Sequence, residues 1–335
     1  MGSAFLTNLT SPPLLFFFLG AFATFARSDL DIPNPVARAI SVYLLFAIGF
    51  KGGVALSVSD PSGDVLLALG AALLLAALVP VYVFFAMSRL FSSADAAAIA
   101  ATYGSISAVT FVTATNYLDG LGIGWGGHFV AAMALMEAPA IVVGLFLYRR
   151  VAGSDDADAA AEDMSVSTLL REAFLNGSVV LIVGSLLIGW VSGERGMAQL
   201  EPFVKAPFVG MLCLFLLDMG LVAARRLRDI TDPRAGQRQA SPKAMVALAV
   251  CFALLNGAVA LALALLIDLP EGDALLLTVL GASASYIAVP AAMRLALPNS
   301  NPGVYLTMAL AVTFPFNIVV GIPLFHHFIR LFVGG

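Results

Sequence analysis

Apolar stretches of about twenty residues recur from one end of this 335-residue chain to the other. A helix needs about 20 such residues to cross the hydrocarbon core of a bilayer. Only 11% of the residues are charged and 60% are hydrophobic, whereas soluble domains carry about 25% charged residues. No polar stretch is long enough for a soluble catalytic domain. The expected fold is therefore an all-α integral membrane protein.

Ten segments are predicted, near 11–27, 35–57, 63–91, 94–117, 126–149, 172–193, 203–225, 243–267, 273–295 and 303–332. DIPNP, DPSGD, DGLGIGWGG, LPEGD and PNSNPG supply turn chemistry between most of them. Two longer loops remain, an acidic linker at 150–171 and a basic one at 226–243. The N-terminal run MGSAFLTNLTSPPLLFFFLGAFATFA lacks the positive region of a signal peptide and reads as a retained first helix. With the N-terminus outside, thirteen of the seventeen Lys and Arg residues fall on the cytoplasmic side, leaving Lys51, Arg195, Lys205 and Arg330 at the other. This is the positive-inside asymmetry, so both termini are expected outside a bacterial inner membrane. The basic loop is then read as a topology signal, with no nucleic acid as partner. Cys213 and Cys251 lie in apolar runs as unbridged core residues, and His128, His326 and His327 lack metal-ligand spacing. The 326–327 pair is expected at a helix end near the interface.

Sequence also repeats within the chain. IVVG occurs at 141–144 and at 318–321, GSISAVT (104–110) matches GASASYI (281–287), and GFKGGVALS (49–57) matches LLDMGLVAA (216–224). Three matches in the same order divide the chain into a first five-helix repeat (1–149), the linker (150–171) and a second repeat (172–335). Five is odd, so the second repeat enters the membrane from the opposite side, as in the inverted repeats of secondary transporters.

Segments four and nine are the most hydroxyl-rich and glycine-interrupted, and they hold equivalent places in the two repeats. Paired broken helices point to a transport site. Half-helix N-termini attract an anion without Lys or Arg, and hydroxyls with freed carbonyls near Ser107, Thr110 and Ser285 suit Na⁺. Small residues also serve close helix packing, but their occurrence in both segments, in register, favours a site. Pro290 is expected to disrupt the ladder of segment nine. Glu137 and Asp218 stand in apolar surroundings, which often marks an ion pathway; Thr102 and Asn317 are further ion-coupling candidates. Pro139 is expected to break the helix beside Glu137. Asp218 aligns with Lys51 across the repeats, which makes a structural ion pair the alternative to coupling, and Lys51 alternatively snorkels to the outer interface.

FKGGVALS, YGSISAVTFVTATNYL, MEAPAIVVG and the stretch from GASASYIAVPAAMRLALPNSNPG to the C-terminal end resemble the sodium-dependent bicarbonate transporter superfamily over nearly the whole chain. The resemblance implies two inverted five-helix repeats arranged as core and gate domains, and assembly as trimers. It places bicarbonate and Na⁺ between the broken helices, lined here by Gly104, Ser105, Ser107, Thr110, Ser283, Ser285 and Tyr286. Two departures stand out. Cyanobacterial members have an SGST-like run where this chain has SAVT (107–110), and an aspartate where it has Tyr286. Losing that carboxylate removes a cation ligand or changes anion selectivity. The loop between repeats is also shorter, which leaves docking of a PII-like regulatory protein open.

The expected function is secondary active uptake of bicarbonate or a similar small anion with Na⁺ by alternating access, Na⁺ being a coupling ion and no cofactor being expected. The alternatives are another monovalent anion or small carboxylate, proton-coupled through Glu137, and a regulated channel or sensor. No nucleophile–base pair, HExxH motif or acid cluster supports an intramembrane enzyme.

Overall fold

The computed structural model describes residues 9–58, 63–151, 175, 177–231 and 241–333. The acidic linker beyond Val151 and half of the basic loop (232–240) lie outside the described residues. Every described element is helical: α1 (Pro12–Phe25), α2 (Asn34–Ser57), α3 (Gly63–Met87), α4 (Ser93–Gly104), α5 (Ala108–Leu121), α6 (His128–Leu135), α7 (Glu137–Val151), α8 (Gly177–Val204), α9 (Phe208–Thr231), α10 (Pro242–Leu266), α11 (Glu271–Ala282), α12 (Ala288–Ala296), α13 (Pro302–Leu306), α14 (Phe314–Phe316) and α15 (Ile322–Val333). Two π-helical stretches, Thr307–Thr313 and Asn317–Gly321, join the last three into one span over Pro302–Phe332. Eight spans are long and apolar enough to cross a membrane. With the shorter α1 and the broken pair α11–α12, the described residues hold between eight and ten crossings.

Local chemistry starts and stops these helices. Proline stands in the first turn of α1, α2, α10 and α13, where a missing N–H costs nothing. Ser92 caps α4 by accepting from the Asp95 N–H, and Ser241 caps α10 by accepting from the Ala244 N–H. Gly122 ends α5 in the left-handed region at φ 69°. Gly193, at φ 54° and ψ −147°, kinks α8.

Packing sorts the helices into two groups. In the first, α1 lies against α9 and α2 against α8; the second comprises α3 to α7 and α10 to α15. Both halves of the chain contribute to both groups, so the halves interleave and do not form separate lobes. Glycine permits the closest approaches in the first group. A Cβ on Gly20 would strike the Leu217 carbonyl, and one on Gly220 the Phe17 carbonyl. Gly53 meets the Leu186 carbonyl and Gly189 the Phe50 carbonyl in the same reciprocal manner.

Two buried carboxylates tie helix starts together in the second group. Asp95 accepts from the Asn301 N–H at 2.6 Å, ahead of α13, and Asp273 accepts from the Gly126 N–H at 2.6 Å, ahead of α6. Outward faces carry Leu66, Leu74, Leu187, Ile188, Trp190, Val191 and Leu255, all exposed. Such a surface fits lipid, where contact with acyl chains replaces costly hydration.

Three expectations are corrected here. Cys251 is exposed on the apolar surface of α10, so only Cys213 is a core residue. His326 is buried within α15; its ring joins the Tyr117 hydroxyl (2.9 Å) to Glu271 (2.8 Å). Pro290 does not break its segment, because the interruption precedes it and Pro290 stands third in α12, in the tolerant first turn.

Candidate functional site

Segments four and nine both break near their middles, after Gly104 and after Ala282. Ser105 (ψ −176°) and Ser283 (ψ 171°) are extended, which turns the backbone out of the helix. Two residues on, Ser107 caps α5, and Ser285 stands three residues ahead of α12. The Ser107 hydroxyl accepts from the Thr110 N–H at 3.2 Å, and the Ser285 hydroxyl accepts from the Val289 N–H at 3.3 Å. Each serine thus satisfies one of the donors that a helix start leaves free.

The breaks also cross and bind each other. The Ser107 N–H donates to the Ser283 hydroxyl at 3.0 Å, and the Ser285 N–H donates to the Thr102 carbonyl at 2.9 Å. Ser283 donates in turn to the Leu280 carbonyl at 2.8 Å. Asn317, from the π-helical stretch, donates to the Ala282 carbonyl at 2.8 Å, a group freed by the break. The α4–α5 span that holds the first break is the most enclosed, with 94% of its central window buried, against 28% for α8. The polar crossing therefore sits inside the protein, away from lipid.

A small cavity of about 30 Å³ opens where the starts of α5 and α12 meet, lined by Ser107, Glu137, Ser285 and Tyr286, with Ser41 and Ser178 across from them. This volume suits a water molecule or a bare small cation. Among the described residues no Lys or Arg lines it. The N-termini of α5 and α12, each equivalent to roughly half an elementary charge, open at it beside the Glu137 carboxyl. Tyr286 stacks edge-on against Phe314 with ring centroids 5.6 Å apart, and its hydroxyl approaches Ser107. α7 begins at Glu137, immediately after a break at Met136, with Pro139 in its first turn. The interruption falls at Leu135–Met136, one turn before Pro139, which has no N–H to offer the Leu135 carbonyl, so the helix is broken beside Glu137 as expected.

Buried oxygens of Thr102 (Oγ1), Ser105 (Oγ), Thr110 (Oγ1), Glu137 (Oε2) and Asn317 (Oδ1) find no partner among the described residues. Each such group costs about 1–3 kcal/mol if left dry. All five can accept, so together they favour cations or water around the breaks.

The sequence-predicted residues thus divide. Ser107, Ser285, Tyr286 and Glu137 share the cavity, while Ser105, Thr110, Thr102, Ser283 and Asn317 surround the breaks without lining it. Gly104 serves packing: a Cβ there would strike the Pro80 ring and come within 3.1 Å of Ala140. Asp218 is buried in α9, near Asp31 and Arg225 and away from the cavity. Its expected pairing with Lys51 is not made; Lys51 pairs with Asp119 at 3.3 Å. Ser41 on α2 and Ser178 on α8 escaped the sequence reading. Ser178 is one of three serines in α8, with Ser185 and Ser192, and Ser41 one of two in α2; only a place at the cavity distinguishes them.

Among curated proteins no relative matches this chain. The sequence model of one family matches residues 12–330, nearly the whole length. The chain therefore belongs to the Na⁺-dependent bicarbonate transporter superfamily, and is a multi-pass membrane transport protein and not an enzyme.

Proposed function

We propose that this protein carries bicarbonate together with Na⁺ by alternating access between two helix groups. The observation that carries the reading is the position of the cavity. Ser41 and Ser178 come from the first group, while Ser107, Glu137, Ser285 and Tyr286 come from the second. A solute held there lies on the boundary of two bodies, so relative movement exposes it first to one side of the membrane and then to the other. The N-termini of α5 and α12 face the anion, and their N–H groups hold it without a fixed positive side chain. Na⁺ takes the hard oxygens of Glu137, Thr110 and Ser105, and offsets the anion's charge. The cavity is smaller than the two ions together, which matches an occluded or unloaded state that widens on binding.

On this reading the two groups are built from inverted five-helix repeats. Support comes from equivalent pairs with matching contacts: Gly53 with Gly220 and Gly20 with Gly189 in the first group, Asp95 with Asp273 in the second, and Ser107 with Ser285, each bonded to its own half-helix, at the breaks. The same reading places the chain in a bacterial inner membrane with both termini outside, as a homotrimer. A PII-like regulator remains a proposal of the family resemblance alone.

The decisive experiment is counterflow of labelled bicarbonate in proteoliposomes with and without Na⁺. Saturable, Na⁺-dependent exchange is expected; exchange of another anion but not bicarbonate overturns the substrate. The unpartnered, buried Glu137 carboxyl favours one second reading, proton coupling. Flux that persists without Na⁺ and collapses with the proton gradient supports it.

A further inference from the structure

A wider cavity lies at the far end of α5 from the break. It encloses about 660 Å³ and is lined by Lys51, Thr113, Asn116, Tyr117, Asp119 and Lys205, among others. The same helix therefore starts at the small cavity and walls the large one with its later turns. Thr113 lies three residues beyond Thr110, about 4.5 Å along the helix axis. A shallower cavity of about 570 Å³ adjoins it, shares Lys51, Asp119 and Lys205, and adds Glu194 and Glu201.

The two lysines differ. Lys205 is half exposed and bonded to Glu201 on its own helical turn at 2.8 Å. Lys51 is the more enclosed, its side chain 19% exposed and its ammonium 4.9 Å from the Phe208 ring centroid. Lys51 stands on α2 in the first helix group, and its partner Asp119 stands on α5 in the second. The second oxygen of Asp119 accepts from the Trp125 indole N–H at 3.0 Å. An ion pair at 3.3 Å with a 44% exposed carboxylate is weak, so a free anion competes with it for the ammonium.

We propose that this cavity is a capture site for the transported monovalent anion, which binds Lys51 in place of the Asp119 carboxylate. The proposal rests on the transporter reading above. In the resting protein Asp119 occupies the position of the anion and ties the two helix groups together. When the anion arrives, Asp119 is released, the tie across the groups is loosened, and the solute lies at the head of a polar face that leads along α5. Lys205 adds positive charge at the rim, with Glu201 and Glu194 opposing it on the side of the shallower cavity.

Exchange of this kind predicts opposite signs for two substitutions that a purely structural ion pair would treat alike. Asp119→Asn frees Lys51 and lowers KM for bicarbonate by about two- to fivefold, the range that a weak exposed pair supports. Lys51→Gln raises KM by a similar factor, the double variant follows Lys51→Gln, and Lys51→Arg retains capture. The test is bicarbonate flux in proteoliposomes, joined to a binding titration on detergent-purified protein. The chain has two tryptophans, so Trp190→Phe leaves Trp125 as the single reporter of Asp119 movement. Bicarbonate should change Trp125 emission saturably, and Lys51→Gln should abolish that change. KM shifts of the same sign in both single variants, or no shift in either, overturn the proposal. A protein with no anion flux at all removes the transporter reading instead, and the Trp125 titration then decides alone whether bicarbonate displaces Asp119.

Discussion

At the residue scale, Ser107 and Ser285 have two roles that can be separated by measurement. By accepting an N–H from the first turn of its half-helix, each hydroxyl supports that helix by about 1 kcal/mol. As cavity groups, each aims the helix N-terminus at the solute. Ser107→Ala and Ser285→Ala are each expected to lower melting temperature slightly and to cut bicarbonate flux at least tenfold, because losing about 1.4 kcal/mol of solute stabilisation is already a tenfold change. Full flux in both variants would return these serines to helix support alone. Glu137→Gln keeps the shape of its side chain and removes the charge. Flux in that variant should lose its Na⁺ dependence if Na⁺ binds there, whereas an unchanged Na⁺ titration would move the cation elsewhere. Asp218→Asn should leave the KM for bicarbonate and Na⁺ unaltered, since Asp218 lies on α9 and does not line the cavity. A large shift in either KM would restore Asp218 to the transport path.

Elements are held together by a few backbone contacts, and these set which helices can move. Gly53 on α2 and Gly189 on α8 place each helix backbone against the other, as Gly20 and Gly220 do for α1 and α9. Gly53→Leu would push α2 off the Leu186 carbonyl, so folded yield and thermal stability should fall sharply. Gly210, with open space around a Cβ, is the control: Gly210→Ala should be neutral or slightly stabilising, as the helix gains about 1 kcal/mol of propensity. Differential scanning fluorimetry of the purified variants decides between them. The breaks in segments four and nine were legible from glycines and serines because an interrupted helix needs small residues and local caps. Their crossing was not legible. The bond from the Ser107 N–H to Ser283 joins residues 176 apart in sequence, and nothing in either segment alone encodes that approach.

For the whole molecule, the division into two groups predicts what must slide. Gly52 on α2 faces Val130 on α6 across the group boundary, and a Cβ at Gly52 would lie 3.0 Å from the Val130 Cβ. A disulfide spans about 3.8 Å between Cβ atoms, so Gly52→Cys with Val130→Cys, in a background lacking Cys213 and Cys251, should cross-link after a small shift. Oxidation should stop bicarbonate exchange and reduction should restore it. Exchange at full rate in the oxidised, cross-linked protein would mean that the groups do not move at this contact.

Membrane class, the helical segments and the two interruptions were legible in the sequence alone. It also identified the family, since these features are written in composition, periodicity and local motifs. Which polar groups share a cavity follows from the folded chain. Folding brought Ser41 and Ser178 to Ser107 and Ser285, gave Gly104 to packing, and paired Lys51 with Asp119 instead of Asp218. The physical reason is that a cap or a break depends on a few consecutive residues, whereas a site at the boundary of two helix groups depends on close approaches between segments from both halves of the chain.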